Sequence, residues 1–335
     1  MTQKRAESSP QIAILLSLYN GETYLDAQLT SILAQTYPDW TLYWRDDASA
    51  DLSHERMRAF AEGPGQGRCV EITTRHGRLG VAGSYAHLLD AIPTTPYVAF
   101  ADQDDIWEPK KLEWALDAVS RRPAEKPTLY CARQYLTDAD LVIFQESAPL
   151  SRRPDFHASL TQNIATGHTI LLNAAAHSLM RNTPPPPSVL HDWWAYLLTS
   201  AAGGEVIFDN RCVSYYRQHA HNTVGATGSF IRRAWAACRR GPKVFMTIFN
   251  SNVACLREGQ KTIAPENRKL LEDLAAARTF VQRLSVLCRY RSLKRQRSVE
   301  SLVFRLWYLF PTHPRSQTVK RVRDSTVPIR SGKYR

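Results

Sequence analysis

The first 120 residues alternate between short apolar runs and stretches with helical periodicity, and this alternation restricts the possible folds more than any other feature. Each of four apolar, strand-like runs is followed by a helical pattern; the runs cover residues 11–19, 40–44, 69–74 and 97–101. The first run is almost continuously apolar, as expected for a parallel strand covered on both faces. We therefore predict βαβ units and an α/β fold with a mostly parallel central sheet flanked by helices.

Polar residues follow the carboxyl ends of these strands. They are Asn20, Asp46, Asp47, Arg78, Asp102 and Asp104. Parallel strands bring their carboxyl ends to one rim of a sheet, so these side chains are expected to meet there. Acids after two separate strands suggest a divalent cation that carries phosphates. The alternative is a set of solvated turns, in which acids such as Asp105 cap the helix that starts near Pro109.

The following residues are predicted to add more strands and one further helix. Strand patterns occur at residues 127–147 and 166–172, and residues 205–216 suggest a pair of strands. Four prolines, residues 184–187, form a stiff connector that leads to His191-Asp192-Trp193-Trp194. Asp192 caps or opens a helix at this point, which adds a further carboxylate to the candidate site.

The charge of the 335-residue chain is distributed unevenly. Residues 226–335 hold 24 Lys and Arg against 6 Asp and Glu, whereas residues 1–225 hold 19 against 25. The six cysteines are scattered without a Cys-x-x-Cys pair, which argues against a zinc site and a disulfide framework. No apolar stretch reaches the length of a membrane span, and residues 1–10 lack the apolar core of a secretory signal. These features predict a cytoplasmic protein.

The basic C-terminal third shows amphipathic helical patterns at residues 229–239, 244–257, 267–290 and 298–310. Such helices can lie at an anionic membrane surface, with Arg and Lys near the head groups. The alternative is a helical subdomain whose aromatic residues are core and whose charge is solvated. The predicted organisation is an α/β domain at 1–225, a basic helical region at 226–316 that associates with membranes, and a disordered tail at 317–335.

Several stretches together resemble the family 2 glycosyltransferases of GT-A fold, in particular their bacterial rhamnosyltransferase-like branch. The matching stretches lie in order between residues 11 and 225; they are residues 14–25, residues 28–37, Asp46-Asp47-Ala48-Ser49, Asp102-Gln103-Asp104-Asp105-Ile106-Trp107, His191-Asp192-Trp193-Trp194, and Tyr216-Arg217-Gln218-His219 with Asn222. The Asp-Gln-Asp-Asp-Ile-Trp and His-Asp-Trp-Trp versions are those that indicate this branch.

The resemblance implies transfer of a sugar from a nucleotide diphosphate to an acceptor hydroxyl, with inversion at the anomeric carbon. This reaction needs a general base, which the resemblance identifies as Asp192, with His191 in a positioning role. It also needs a divalent cation, Mn²⁺ or Mg²⁺, for which the implied ligands are Asp102, Asp104 and His219. The implied nucleotide-sugar contacts are Asn20, Glu22, Asp46, Asp47, Arg78 and Asp102. Ala48 stands where the family usually has glycine, so its turn either needs no positive φ or is strained.

The donor implied by the resemblance is dTDP-L-rhamnose, with a UDP- or GDP-sugar as the alternative. The implied acceptor is a lipid-linked or growing polysaccharide of the bacterial cell envelope, at the inner face of the plasma membrane. A different class of function is a polyanion-binding protein that uses the basic C-terminal third. Against it, the sequence has no nucleic-acid-binding motif, and a scaffold would not need carboxylates after two strands and again at Asp192.

Overall fold

The computed structural model describes residues 10–74, 77–186, 189–219 and 230–310. The strands in these ranges are β1 (Ile12–Leu18), β2 (Trp40–Asp46), β3 (Cys69–Glu71), β4 (Tyr97–Ala101), β5 (Ile106–Trp107), β6 (Thr128–Thr137), β7 (Ile143–Glu146), β8 (Leu171–Asn173) and β9 (Glu205–Arg217). The helices are α1 (Leu25–Leu33), α2 (Ser53–Glu62), α3 (Gly80–Ala91), α4 (Lys111–Ser120), α5 (Phe156–Thr161), α6 (Ala174–Asn182), α7 (His191–Ala201), α8 (Phe230–Glu258), α9 (Pro265–Ala276), α10 (Phe280–Arg289) and α11 (Ser298–Leu309). The predicted alternation of strands and helices is present.

The strands form one sheet in the order β3-β2-β1-β4-β8-β6-β9-β5, with β7 paired to β6. Strands β1 to β4 are parallel, as predicted. Strand β8 runs antiparallel to both β4 and β6, and β9 is parallel to β6. The sheet is therefore parallel in its first half and mixed in its second. The pair of strands predicted at residues 205–216 is a single long strand, β9.

This topology brings distant parts of the sequence to one rim. The carboxyl ends of β1, β2, β4 and β9 point to this rim, because all four strands run in the same direction. Strand β8 begins at the rim because its direction is reversed. The short 3₁₀ turn Gly167–Thr169, directly before β8, therefore lies beside the residues that follow β4.

The apolar run of β1 is explained by its burial on both faces. Ala13 and Leu15 pack into one hydrophobic core, and Ile12, Ile14 and Leu16 pack into a second core on the other face. Because successive side chains of a strand point to opposite faces, a strand between two cores must be apolar throughout.

The C-terminal helices pack onto the α/β domain. Phe249 of α8, Leu271 of α9 and Phe304 of α11 are buried in the same core as Trp194 of α7. The two patterns at 229–239 and 244–257 form one helix, α8, which contains Pro242. The pattern at 267–290 is divided into α9 and α10. None of the helices in the described ranges is long and apolar enough to span a bilayer.

Two predicted features of domain organisation lie outside the described residues. These are the boundary between residues 225 and 226 and the tail at 317–335. Both remain predictions.

Candidate active site

The loops that follow β1 and β2 are hydrogen-bonded to each other. The N–H of Asn20 donates to Oγ of Ser49 (3.0 Å), and Oδ1 of Asn20 accepts from the N–H of Ala50 (2.8 Å). Oε2 of Glu22 accepts from the N–H of Leu52 (2.9 Å), directly before α2. Asn20 has a φ of +48°, a left-handed conformation that Asn tolerates better than most residues. The two predicted nucleotide contacts therefore also shape the loop after β2.

Asp46 and Asp47 have different surroundings at the end of β2. Oδ1 of Asp47 accepts from Nη1 of Arg45 (2.6 Å) and from the N–H of Leu79 (2.6 Å), and Oδ2 accepts from the N–H of Gly80 (2.7 Å). Burial favours a higher pKa for Asp47, but these hydrogen bonds outweigh it and hold the pKa below its usual value. Oδ2 of Asp46 accepts from the N–H of Ser49 (3.0 Å). The buried Oδ1 of Asp46 has no hydrogen-bond partner in the described part of the chain. Asp46 thus has an oxygen left for a ligand.

Ala48, which follows these two acids, has a φ of +65°. This is the left-handed region, in which a Cβ atom is unfavourable. Of the two alternatives for this glycine-replacing residue, the strained turn is the one observed.

Gln103 connects the loop after β4 to the end of β1. Its side-chain amide accepts from the N–H of Tyr19 and donates to the carbonyl oxygen of Tyr19, both at 2.9 Å. Gly21 leaves space for this amide, because a Cβ atom there would lie 2.4 Å from it. The exposed guanidinium of Arg78 lies 3.8 Å from the centroid of the Tyr19 ring. Arg78 is therefore placed at the same rim as the acids.

His168 contacts two of the three aspartates that follow β4. Its Nδ1 lies 2.7 Å from Oδ2 of Asp105 and 3.2 Å from Oδ2 of Asp102. Burial alone lowers the pKa of His168, but the two carboxylates outweigh it and raise the pKa to about 10. The ring is therefore a cation at neutral pH, and it compensates the charge of the two acids.

Asp105 is not the helix cap that the sequence allowed. Its side chain is fully buried, and Oδ1 accepts from the N–H of Arg217 at 3.3 Å. Helix α4 begins at Lys111, and no side chain caps it. Asp105 is instead part of the support beneath the rim.

Asp104 has a histidine partner of its own. Nε2 of His219 lies 2.9 Å from Oδ2 of Asp104, and the two side chains are 12% and 17% exposed, respectively. Burial and the charges of Asp105 and Asp102 raise the pKa of Asp104 to about 8. The structure thus brings together two of the three predicted cation ligands. The ligand atoms of Asp102, Asp104 and His219 are not all within 4.8 Å of one another, whereas those of Asp102, Asp105 and His168 are.

Asp192 lies in the first turn of α7. Burial raises the pKa of Asp192 to about 6; a hydrogen bond from the N–H of Trp193 (2.5 Å) opposes this shift, and the charge of Asp102 adds to it. The turn before β8 packs against this helix start, since a Cβ atom at Gly167 would lie 3.7 Å from Cβ of Asp192. A half-buried carboxylate with this pKa suits a general base.

His191 has the surroundings of a packing residue. Its ring stacks on Tyr85 with centroids 3.8 Å apart and meets Phe100 edge-on at 4.7 Å. Burial lowers the pKa of His191 to about 4, so the ring is neutral. The hydroxyl of Tyr85 donates to the carbonyl oxygen of Ala101 (2.6 Å) and lies 3.2 Å from Oδ1 of Asp102. His191 therefore packs against Tyr85, the residue whose hydroxyl contacts Asp102.

The carboxylates differ in how well they suit a divalent cation. Asp105 and His168 have no exposed surface and already compensate each other's charge. Asp102, Asp104 and His219 are partly exposed, and they offer the oxygen and nitrogen donors that Mn²⁺ accepts. A cation that also contacts a diphosphate must be reached from the open side of the rim. The exposed set meets this requirement of access, and the buried set meets the requirement of convergent ligand atoms.

The part of the chain that carries these loops matches a known family. The family model described as glycosyl transferase family 2 matches residues 13–176, from β1 into α6. Residues 13–176 form a family 2 glycosyltransferase domain. Asn20, Asp46, Asp102 and His168 of the glycosyltransferase lie within the match, whereas Asp192 follows it.

Curated relatives of the glycosyltransferase include two enzymes with named donors. The dTDP-rhamnosyl transferase RfbG of Shigella flexneri is 25% identical over 231 residues, which are 64% of this chain and 75% of RfbG. The UDP-Glc:alpha-D-GlcNAc-diphosphoundecaprenol beta-1,3-glucosyltransferase WfgD of Escherichia coli is 31% identical over 108 residues, or 32% of this chain and 40% of WfgD. The predicted enzyme class is confirmed.

Solved structures confirm the GT-A type of fold for the glycosyltransferase. TarS from S. aureus in complex with UDP has a TM-score of 0.51 at 11% identity, over 89% of each chain. TarS in complex with UDP-GlcNAc has a TM-score of 0.50 at 11% identity, over 84% of this chain and 90% of the TarS chain. At this identity the similarity shows the fold alone.

His168 and Tyr85 of the glycosyltransferase were not predicted as site residues. His168 follows Thr166-Gly167, which the sequence identifies only as the entry to an apolar segment. The reversed direction of β8 brings it to Asp102, and local periodicity carries no information about strand direction. Tyr85 has the helical spacing of a core residue, and its hydroxyl reaches the rim because α3 packs against β1.

Proposed function

We propose that the protein transfers a sugar from a nucleotide diphosphate to an acceptor hydroxyl with inversion, and that the reaction depends on a divalent cation. The observation that carries this proposal is Asp192, a half-buried carboxylate with a pKa of about 6 beside the acids that follow β4. Such a group is mostly ionised at neutral pH and accepts a proton readily. Asp192 takes the proton of the acceptor hydroxyl, and the hydroxyl oxygen attacks the anomeric carbon of the donor sugar. The diphosphate leaves from the opposite face, which inverts the configuration.

The acids after β4 serve the leaving group in this proposal. Asp102 and Asp104, with His219, would hold Mn²⁺ or Mg²⁺, which would supply positive charge for the departing diphosphate. His168 supports this arrangement by fixing Asp102. Nε of Arg217 donates to the carbonyl oxygen of Asp104 (3.0 Å) and fixes the loop itself.

The loops after β1 and β2 serve the nucleotide. The partnerless, buried Oδ1 of Asp46 is available to a donor group of the base or the ribose. Asn20 and Glu22 line the same loops, and Arg78 supplies positive charge for the diphosphate. The hydrogen bonds of Asp47 favour a structural role for it, so Asp46 is the stronger candidate of the two.

The proposed donor is dTDP-L-rhamnose, supported by the similarity to RfbG. The alternative donors are a UDP-sugar, which the similarity to WfgD supports, and a GDP-sugar. The proposed acceptor is a lipid-linked or polysaccharide chain of the cell envelope. We place the enzyme at the inner face of the plasma membrane, because the C-terminal third is strongly basic.

A panel of nucleotide sugars tests the proposal. The purified protein is incubated with Mn²⁺ and dTDP-L-rhamnose, UDP- or GDP-sugars, and the released nucleotide diphosphate is measured. Turnover with one donor, lost in Asp192→Asn and Asp104→Asn, is the expected result. Unchanged turnover in both variants would remove the proposed mechanism, and a product with retained anomeric configuration would remove the direct displacement.

A further inference from the structure

Helix α11 carries apolar side chains on two opposite faces. Phe304 and Tyr308 are buried in the core of the protein. The opposite face has an exposed apolar stripe that consists of Val299, Leu302, Leu306 and Phe310. These four side chains are between 47% and 62% exposed, and they recur at the spacing of three and four residues that places them on one side of the helix. A helix that is apolar on both sides is normally covered on both sides.

Helix α10 extends the stripe. Phe280, Val281 and Leu284 are exposed, and the ring centroids of Phe280 and Phe310 lie 5.4 Å apart. The two helices thus present one continuous surface, which we call the outer apolar face. It consists of Phe280, Val281, Leu284, Val299, Leu302, Leu306 and Phe310. Contiguous exposed apolar surface of this kind marks an interaction site.

The segment of the chain that carries the outer apolar face is strongly basic in sequence. Residues 278–310 contain eight Arg and Lys and a single acid, Glu300. Arg278 and Arg291 are exposed, whereas Arg289 pairs with Asp273 of α9 at 2.8 Å. Apolar side chains bordered by arginines are typical of helices that lie in the plane of a membrane interface.

Charge and apolarity together identify the partner. A second copy of the chain would bring an equally basic border against this one, and the repulsion opposes a dimer through this face. Residues 311–335 carry seven Arg and Lys against one acid, so the same repulsion opposes them as a cover. Nucleic acid matches the charge, but its backbone offers no apolar surface for aliphatic side chains. An anionic lipid bilayer matches both properties.

We propose that the outer apolar face inserts into the surface of an anionic lipid bilayer, with the exposed Arg278 and Arg291, which flank α10, on the head-group phosphates. This assigns membrane binding to two helices of the C-terminal third. Phe249 of α8 and Leu271 of α9 are instead buried in the core of the protein. The face itself is independent of the catalytic reaction.

The linker between α10 and α11 is bonded to the catalytic domain at α5. Oγ1 of Thr161 donates to the carbonyl oxygen of Lys294 (3.1 Å), and the N–H of Gln296 donates to Oε1 of Gln162 (2.9 Å). These contacts join the membrane-binding helices to the glycosyltransferase domain through ordered structure.

Helix α5 is in turn bonded to the start of α7. Nε1 of Trp193 donates to the carbonyl oxygen of Ser159 (2.8 Å), and Trp193 is the neighbour of Asp192. A bilayer bound at the outer apolar face is therefore connected through α5 to the proposed base. Its role in presenting a lipid-linked acceptor rests on the proposed function, whereas the binding of lipid does not.

Vesicle sedimentation of the full chain tests the proposal. Vesicles of phosphatidylcholine alone are compared with vesicles that also contain phosphatidylglycerol. The double variant Leu302→Ser/Leu306→Ser is expected to lower the partition coefficient on anionic vesicles at least ~10-fold. The matched control is Val142→Ser/Phe144→Ser at the start of β7, the strand that pairs with β6. The two control side chains are 61% and 51% exposed, against 60% and 47% for Leu302 and Leu306. The control is expected to bind as the unaltered chain does.

Each outcome decides the proposal. Unchanged binding of the α11 variant overturns it, and so does equal binding of the unaltered chain to neutral and anionic vesicles. A concentration-dependent dimer that the same double variant dissociates, without vesicle binding, assigns the face to a second copy instead. The proposal is supported if the α11 double variant loses vesicle binding and still transfers sugar to a soluble acceptor. Vesicle binding without any transferase activity leaves this proposal intact and removes the proposed function.

Discussion

Nδ1 of His168 and Oδ2 of Asp105 lie 2.7 Å apart, and neither side chain has exposed surface. The pair lies directly beneath the rim where Asp102 and Asp104 face outward. The His168 cation lowers the pKa of Asp102 and opposes the rise in pKa that burial causes at Asp105. It therefore reduces the repulsion between these two acids.

Removal of His168 is expected to destabilise the fold. His168→Leu leaves the buried carboxylate of Asp105 without its cation, and the expected loss in the free energy of unfolding is about 3 kcal/mol. Urea denaturation measures it. The double variant His168→Leu/Asp105→Asn removes both charges and should recover most of the loss. An equal loss in the single and double variants would contradict a charge-compensating role.

The activity of the enzyme is expected to fall at acid pH through Asp192. The pKa of Asp192 is raised to about 6 by its burial, so the base is ionised above this pH and protonated below it. The rate at saturating substrate should therefore be constant near neutral pH and decrease about tenfold per pH unit well below 6. The decrease is measured from the rate as a function of pH at a fixed Mn²⁺ concentration.

The variant Asp192→Asn provides the control for that profile. It should lower the rate at neutral pH at least ~100-fold. Because the folded-state pKa lies above that of the unfolded chain, ionisation of Asp192 costs stability as the pH rises from about 4 to about 6. Above pH 6 the asparagine should therefore raise the free energy of unfolding, by up to about 3 kcal/mol. Unchanged activity of Asp192→Asn would contradict the role of Asp192 as the base, and a lower stability would contradict the destabilisation by its charge.

Removal of divalent cations is expected to abolish transfer. Chelation by EDTA should stop the reaction and Mn²⁺ should restore it, because the departing diphosphate needs charge neutralisation. Asp104→Asn should lower the rate at a fixed Mn²⁺ concentration at least ~100-fold. Asp117→Asn, which removes an exposed carboxylate of α4, serves as the matched control. Full activity in EDTA would rule out the cation.

The strained turn at Ala48 is expected to be relieved by glycine. Ala48 has a φ of +65°, so Ala48→Gly should stabilise the protein by about 1 kcal/mol. The neighbouring exposed Ala50 is not among the residues with positive φ, and Ala50→Gly should instead lower stability by about 0.5 kcal/mol. Thermal denaturation of the two variants compares them, and shifts of the same sign would contradict the strain.

A methyl group at Gly21 is expected to displace Gln103. Gly21→Ala places a Cβ atom 2.4 Å from the Gln103 amide, which must turn away and lose both hydrogen bonds to Tyr19. The expected loss is about 2 kcal/mol, and Gln103→Ala should cost a similar amount. The double variant should be no less stable than either single one. Additive losses, measured by denaturation, would show that Gly21 acts independently of Gln103.

Much of the rim follows from the sequence. Asn20, Asp46, Asp102 and Asp104 come directly after apolar runs, and parallel strands must bring their ends together. The order of these segments also identifies the family. Both predictions depend on local periodicity and chain order, which a sequence records directly.

The division of roles within the rim depends on the tertiary structure. The sequence treats Asp46 and Asp47 alike, and only packing shows that the oxygens of Asp47 hold Arg45 and the start of α3. Asp105 has the sequence features of a helix cap, yet it is buried against His168.

By itself, the sequence determined the parallel half of the sheet, the glycosyltransferase family and the positions of the exposed acids. Only the tertiary structure decided that β8 runs against β4, that His168 therefore reaches Asp102 and Asp105, and that α11 exposes a second apolar face. The physical reason is the same in each case. Strand direction and the partner of a side chain depend on contacts between residues far apart in the chain, and local patterns of apolar and polar residues do not encode those contacts.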